Sequence, residues 1–139
     1  MNKKRLSIIN NVDQLTLITD AVEEIAGEWG LSSRVSMNLN LVLEEIVSNI
    51  MFYGFKDENE HDIRIAFIKE ANQLKVIITD DGEEFNILST EDFKDEDKTA
   101  EEREIGGLGI HFVKTLVDHI DYQRENDMNI LTLFKNINT

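Results

Sequence analysis

Apolar residues recur along this chain at two spacings, and each change of spacing marks a new element. Residues 4–9, KRLSII, alternate weakly and end β-branched, which predicts a first strand. Asn11 followed by Gln14 predicts a capping box. The helix it opens carries Leu15, Ile18, Ala21, Val22, Ile25, Ala26 and Trp29 at a 3.6-residue period, with Gly30 as its stop. Ser32 or Ser33 caps a second helix. That helix runs to about Tyr53 and ends at Gly54, and an acidic turn over 56–61 follows. Strict alternation then predicts strands over 62–69 and 73–79, joined as a hairpin by Glu-Ala-Asn. Gly106-Gly107-Leu108-Gly109 opens a third helix with Ile110, Val113, Leu116 and Val117 inward. A last hairpin, 119–125 and 129–135, turns at Asn126-Asp127. Helices and strands alternate at first, but the strands then pair as adjacent hairpins. The expected fold is therefore α+β: a two-layer sandwich, mostly antiparallel sheet with helices on one face.

The second helix organises the rest. In Asn40–Phe55, NLVLEEIVSNIMFYGF, the positions Leu39, Val42, Leu43, Ile46, Val47 and Ile50 form one broad apolar arc. Asn49 falls on one edge of that arc with Glu45 a turn earlier beside it, whereas Glu44 and Ser48 point to water. An amide and a carboxylate at i and i+4 on the rim of a buried face have the chemistry to hold a metal ion or polarise a nucleophile. Taken alone, a solvated polar rim is the simpler reading.

Composition narrows the classes. The chain has 139 residues, enough for one domain with a real core, so a single domain over 1–139 is expected. It has no cysteine, which removes disulfides, thiol catalysis and cysteine-ligated zinc. His61, His111 and His119 are scattered without metal-ligand spacing. There is no long apolar run and no signal-peptide pattern after Met1, so a cytoplasmic location is expected. A net charge of −14 argues against nucleic acid and against an anionic membrane surface. An anionic nucleotide is repelled too, unless a divalent cation and a helix N-terminus offset the charge locally.

Two further segments meet that condition. Asp80 closes an apolar strand ahead of Gly82, and a carboxylate there suits an exocyclic amine such as that of adenine. Ordinary Asp-Gly turn chemistry would look the same. The glycines of 106–109 at a helix start present bare N–H groups to an anion, although a plain loop-to-helix turn is as compatible. This is not a Walker loop, since no Gly-Lys-Ser/Thr follows, nor a Rossmann turn, since it does not follow the first strand. Between the two lies STEDFKDEDKTAEERE, 89–104, nearly without apolar residues and dense in charge.

Taken in order, these signals are E-x-x-x-N on a helix, D-x-G after a strand, a polar segment, then G-G-x-G opening a helix. In this conjunction, from Leu15 to Phe134, the chain closely resembles the histidine-kinase-like ATPases (GHKL superfamily), and within them the bacterial anti-sigma regulatory serine/threonine kinases. The resemblance implies ATP and Mg²⁺ as cofactors. It matches Asn49 to the asparagine that holds Mg²⁺ on the phosphates, and Glu45 to the glutamate that serves as general base. It matches Asp80 to the aspartate that reads the adenine amine, with Gly82 keeping the pocket floor open and Tyr53 near the phosphates. Gly106, Gly107, Leu108 and Gly109 match the phosphate-contacting turn, and about 89–105 matches the ATP lid. In that lid only Lys94, Lys98 and Arg103 are cations able to approach a γ-phosphate. Two positions depart from the pattern. Phe52 stands where sensor histidine kinases often carry a basic residue, and Glu84 stands where this branch commonly has proline.

The implied function is phosphorylation of a small antagonist protein by a homodimeric factor that also holds a sigma factor or similar target. Phosphoryl transfer is mostly positioning and charge neutralisation, so a metal ligand, an N–H cradle and a base are the parts it needs. Two other readings use the same residues. One is a nucleotide-gated binding module that holds Mg-ATP without transfer. The other is a detached catalytic domain acting on a separate histidine phosphoacceptor.

Overall fold

The computed structural model describes residues 2–86 and 108–137. In chain order it contains β1 (Asn2–Ile9), a 3₁₀ turn (Val12–Gln14), α1 (Leu15–Trp29), α2 (Ser33–Tyr53), β2 (Asp62–Glu70) and β3 (Gln73–Asp80). It continues with α3 (Leu108–Leu116), β4 (His119–Glu125) and β5 (Met128–Asn136). The strands form one sheet in the order β1-β2-β3-β5-β4, every neighbouring pair antiparallel. The expected α+β sandwich is present, and among the described residues the sheet is wholly, rather than mostly, antiparallel.

Side-chain parity explains which face is covered. Ile63, Ile65 and Phe67 of β2, Leu74, Val76 and Ile78 of β3, and Leu131 and Leu133 of β5 point to one side. There they join Ile18, Val22 and Ile25 of α1, the apolar arc of α2 and Val113 of α3 in a single core. Phe67, Leu43, Val22 and Val47 have no exposed surface at all. Burying a side chain of that size contributes roughly 1.5–3 kcal/mol relative to leaving it in water. Helix α2 lies between α1 and α3, so it is the layer's central element.

Local chemistry sets the boundaries. Ser32 caps α2, its Oγ accepting the Val35 N–H at 3.1 Å. Gly30 ends α1 at φ 67°, a left-handed conformation that glycine adopts without penalty. The β4–β5 turn is Asn126-Asp127 with φ of 54° and 62°, as a two-residue hairpin of matching twist requires.

Three expectations are corrected. The capping box at Asn11 opens a 3₁₀ turn ahead of α1, and Gln14 Oε1 accepts from Ile9 N (3.4 Å) instead of from the cap residue. The reason is local: the Asn11 N–H already donates to the Ile9 carbonyl at 2.8 Å. Ser48 is half-buried rather than turned to water, and its hydroxyl donates back to the Glu45 carbonyl at 3.2 Å. Strand β1 begins at Asn2, earlier than the apolar pattern indicates, because Asn2 and Lys3 pair with Lys69 and Ile68 of β2 whatever their polarity.

Candidate functional site

The C-terminal ends of α2 and β3 meet, and two glycines make the meeting possible. Gly54 follows α2 at φ −82°, so its value there is space and not a left-handed stop. A Cβ on it would stand 2.6 Å from the Ile50 carbonyl oxygen. Its own carbonyl accepts the Glu83 N–H at 2.7 Å. A Cβ on Gly82 would lie 2.4 Å from that same oxygen and 2.9 Å from Asp80 Oδ1. No side chain fits there, so the turn after β3 lies flat against the end of α2.

This junction brings the last turns of α2 to the end of the sheet where Asp80 sits. Along α2, the Asn49 side-chain amide donates to Glu45 Oε1 at 3.2 Å. The bond commits the Nδ2 end of Asn49, so its oxygen is the end left to serve a cation. Both residues are half-buried, as a rim position predicts, while Glu44 is exposed. Tyr53, one turn beyond Asn49, is exposed and lies in tilted contact with Phe52, ring centroids 6.2 Å apart.

Asp80 is nearly sealed, at 4% exposure. Its Oδ1 accepts from Gly82 N at 2.8 Å and from Asn129 Nδ2 at 3.0 Å. Oδ2 accepts from no described residue, which makes it the acceptor available to an incoming donor. Burial pushes the Asp80 carboxyl above the ordinary carboxylate range, opposed by the hydrogen bonds from Asn129 and Gly82.

A second cluster ties the α2–β2 connection to the same turn. The His61 ring stacks on Phe55 with centroids 4.2 Å apart and planes 9° from parallel. Its two nitrogens face Asp57 Oδ1 at 2.6 Å and Asp81 Oδ1 at 3.0 Å. The hydrogen bond with Asp57 is the main reason its pKa is raised, with a smaller contribution from Asp81. In the sequence His61 is one of three scattered histidines without metal-ligand spacing; the fold makes it a bridge.

Of the residues singled out from sequence, Asp80 and Gly82 lie at the turn that meets Gly54, and Glu45, Asn49 and Tyr53 lie on the last turns of the helix that ends there. Helix α3 begins at Leu108, so Leu108 and Gly109 form its first turn. Arg103, Gly106, Gly107 and the segment 89–105 lie outside the described residues. Among the described residues no cluster of three or more His, Asp or Glu side chains can enclose a metal ion. That donor set fits Mg²⁺ only as a partner shared with ligand phosphates, which is its usual mode with nucleotides. The missing side chain at Gly82 is taken up by the Gly54 backbone, so what it provides is the close approach of the turn beside Asp80 to the end of α2.

Asn129, Tyr122 and Arg124 belong to this site although nothing in the motifs points to them. Asn129 is buried at 7% exposure, and Arg124 Nη1 donates to the Gly82 carbonyl at 2.9 Å. One sequence signal does exist. Asn129 has the parity of Leu131 and Leu133, so it is an amide where the strand's pattern calls for an inward apolar residue.

A family model described as the histidine kinase-like ATPase domain matches residues 8–135. The chain is similar to proteins named serine-protein kinase RsbW. It is 26% identical to that of Listeria monocytogenes serovar 1/2a over 110 residues, covering 77% of this chain and 70% of the relative. It is 24% identical to that of Bacillus subtilis strain 168 over 139 residues, covering 87% and 84%. It is also 24% identical to that of Bacillus cereus strain AH820 over 132 residues, covering 93% and 82%.

Proposed function

Because the chain belongs to the histidine kinase-like ATPase family, we propose that it is an ATP-dependent protein serine/threonine kinase and anti-sigma regulatory factor. In this reading it binds a sigma factor or similar regulatory target as a homodimer. It phosphorylates a small antagonist protein, and so acts in a partner-switching circuit in the cytoplasm. The relatives named serine-protein kinase support the activity. The net charge of −14 disfavours nucleic acid and anionic membranes as partners, and no helix among the described residues is long and apolar enough to cross a membrane.

The observation that carries the proposal is the Glu45–Asn49 pair. A module that only holds nucleotide needs an amide to share a cation with the phosphates. It has no use for a carboxylate hydrogen-bonded to that amide at 3.2 Å. A kinase does need it, to take the proton from the attacking hydroxyl.

The roles follow from the chemistry of each group. Asp80 Oδ2 accepts from the exocyclic amine of adenine, and Gly82, packed without a side chain on Gly54, sets the turn beside it. The Asn49 amide oxygen would hold Mg²⁺, with its amide N–H₂ anchored on Glu45. When bound, Mg²⁺ neutralises phosphate charge that this acidic chain would otherwise repel. The backbone N–H groups of Gly106, Gly107, Leu108 and Gly109 would cradle the phosphates, with Tyr53 and Arg103 as further phosphate contacts. Glu45 accepts the hydroxyl proton of the acceptor serine or threonine. The new O–P bond then forms at the γ-phosphorus, the bond to the β–γ bridging oxygen breaks, and ADP leaves.

Calorimetry of ATP binding, with and without Mg²⁺, tests this on the wild type, Asp80→Asn and Glu45→Ala. Mg²⁺-dependent binding lost in Asp80→Asn and kept in Glu45→Ala is the expected result. Glu45→Ala should then lower phosphate transfer to the antagonist by about 10²–10⁴-fold. Equal transfer by wild type and Glu45→Ala would remove the base assignment. Binding without any transfer would leave a nucleotide-gated module, and no binding by folded wild type would end the ATP reading.

A further inference from the structure

Asn129 has four hydrogen-bonding positions on its side chain, and all four are used. One N–H of Nδ2 donates to Asp80 Oδ1 at 3.0 Å and the other to the Glu83 carbonyl at 2.8 Å. Its Oδ1 accepts from the Tyr122 hydroxyl and from the Phe85 N–H, the latter at 3.3 Å. The pattern admits only one orientation of the amide, with oxygen towards the two donors and nitrogen towards the two acceptors. Asn129 therefore has no free donor or acceptor with which to meet a ligand. What it does at this site it does through Asp80 and through the turn backbone at Glu83 and Phe85.

Its position makes that action direct. Asn129 and Asp80 are register partners across β3 and β5 and share the inward face of the sheet. Tyr122, on the neighbouring strand β4, holds the far side of the amide, and Arg124 pins the Gly82 carbonyl. Among the described residues the charged groups facing Asp80 are Asp81 beside it, which disfavours its charge, and Arg124 from β4, which favours it. From β2 the partner is apolar Ile63, which offers nothing. With the Gly82 N–H as the one donor left on Oδ1, a carboxylate this deeply buried would take up a proton more readily.

We propose that Asn129 is the positioning residue of this site: its amide, locked by Tyr122, occupies Asp80 Oδ1, keeps the carboxylate ionised and leaves Oδ2 as the one acceptor offered to a nucleobase amine. The ionisation and orientation of Asp80 are thereby set from β4 and β5, elements that carry none of the motif residues. This inference rests on the nucleotide-binding reading for its consequence but not for its mechanism.

The test separates the two. Carboxyl NMR of the full chain follows the Asp80 titration directly, with no nucleotide present, in wild type, Asn129→Asp and Tyr122→Phe. Asn129→Asp keeps the shape and the acceptor end but replaces the donor with a second carboxylate. The pair should share a proton, and the titration involving Asp80 should rise by about one unit or more. Tyr122→Phe leaves the amide in place but unlocked, and should move Asp80 the same way by less. In parallel, ATP affinity by calorimetry between about pH 5 and pH 8 should fall about tenfold or more in Asn129→Asp at neutral pH, with the acid limb displaced upward. An Asp80 titration within about 0.3 unit of wild type in the variants that fold would overturn the proposal. So would a lowered melting temperature with an unmoved pH profile, because that is a structural role alone. If wild type binds no ATP while Asp80 still titrates as expected, the nucleotide reading fails and the positioning stands.

Discussion

Gly82 rests directly on the backbone of Gly54: a Cβ added to the first would stand 2.4 Å from the carbonyl oxygen of the second. That oxygen also accepts the Glu83 N–H at 2.7 Å. The contact joins the helix that carries Glu45 and Asn49 to the turn that carries Asp80, so the geometry of the whole site depends on a position with no side chain.

Gly82→Ala should therefore act on both stability and binding. The atoms a methyl group would meet are backbone and a buried carboxylate, neither of which yields easily. Overpacking of this kind costs about 1–3 kcal/mol. Chemical denaturation should show a loss of that size, and ATP affinity should fall with it. Gly27→Ala is the control, since a Cβ at Gly27 meets nothing within 4 Å and the site is a helix interior, where alanine is favoured.

The His61 bridge predicts a pH dependence with a definite sign. Its folded pKa is raised, chiefly by the hydrogen bond with Asp57 and further by Asp81. The imidazolium is thus favoured in the folded state over the unfolded one. Its contribution is complete below the ordinary histidine value of about 6.5 and is lost as pH rises through the raised folded pKa. The Asp57 carboxyl is held low, first by the same hydrogen bond, so its share is lost as pH falls through that depressed value. Melting temperatures across the neutral to mildly alkaline window should fall for wild type and change less for His61→Gln. Parallel curves would show that the bridge contributes nothing.

Asn40 is the reverse case, a group whose removal should help. Its Oδ1 is sealed from solvent and has no hydrogen-bond partner. An unpaired buried acceptor costs about 1–3 kcal/mol, and leucine is the better helix former at such a position. Asn40→Leu should raise the melting temperature by a few degrees, measurable by calorimetry. A drop would mean that the amide does something at the α2 surface beyond filling space.

Much of this was open to a linear reading, for identifiable reasons. The pairing of Glu45 with Asn49 is a local fact: two residues one turn apart on a helix rim must be neighbours, and the apolar arc says which edge they share. Asp80 stands out because it closes an apolar strand ahead of a glycine, and each described strand was placed from the sequence, although β1 starts two residues earlier than its weak alternation indicates. Asn129 carried a parity signal, but its meaning could not be read, because its partner lies 49 residues earlier and is chosen by sheet order.

Local periodicity, caps and turn residues thus determined on their own the elements, the α+β class and the helix-borne half of the site, since each depends on interactions within a few residues. Tertiary structure alone decided that β5 lies beside β3, that Gly54 and Gly82 touch, and that His61 spans two aspartates. Those contacts join distant segments through backbone approach and buried hydrogen bonds. Hydrophobic pattern says which face of a strand is inward, but not which neighbour it will meet there.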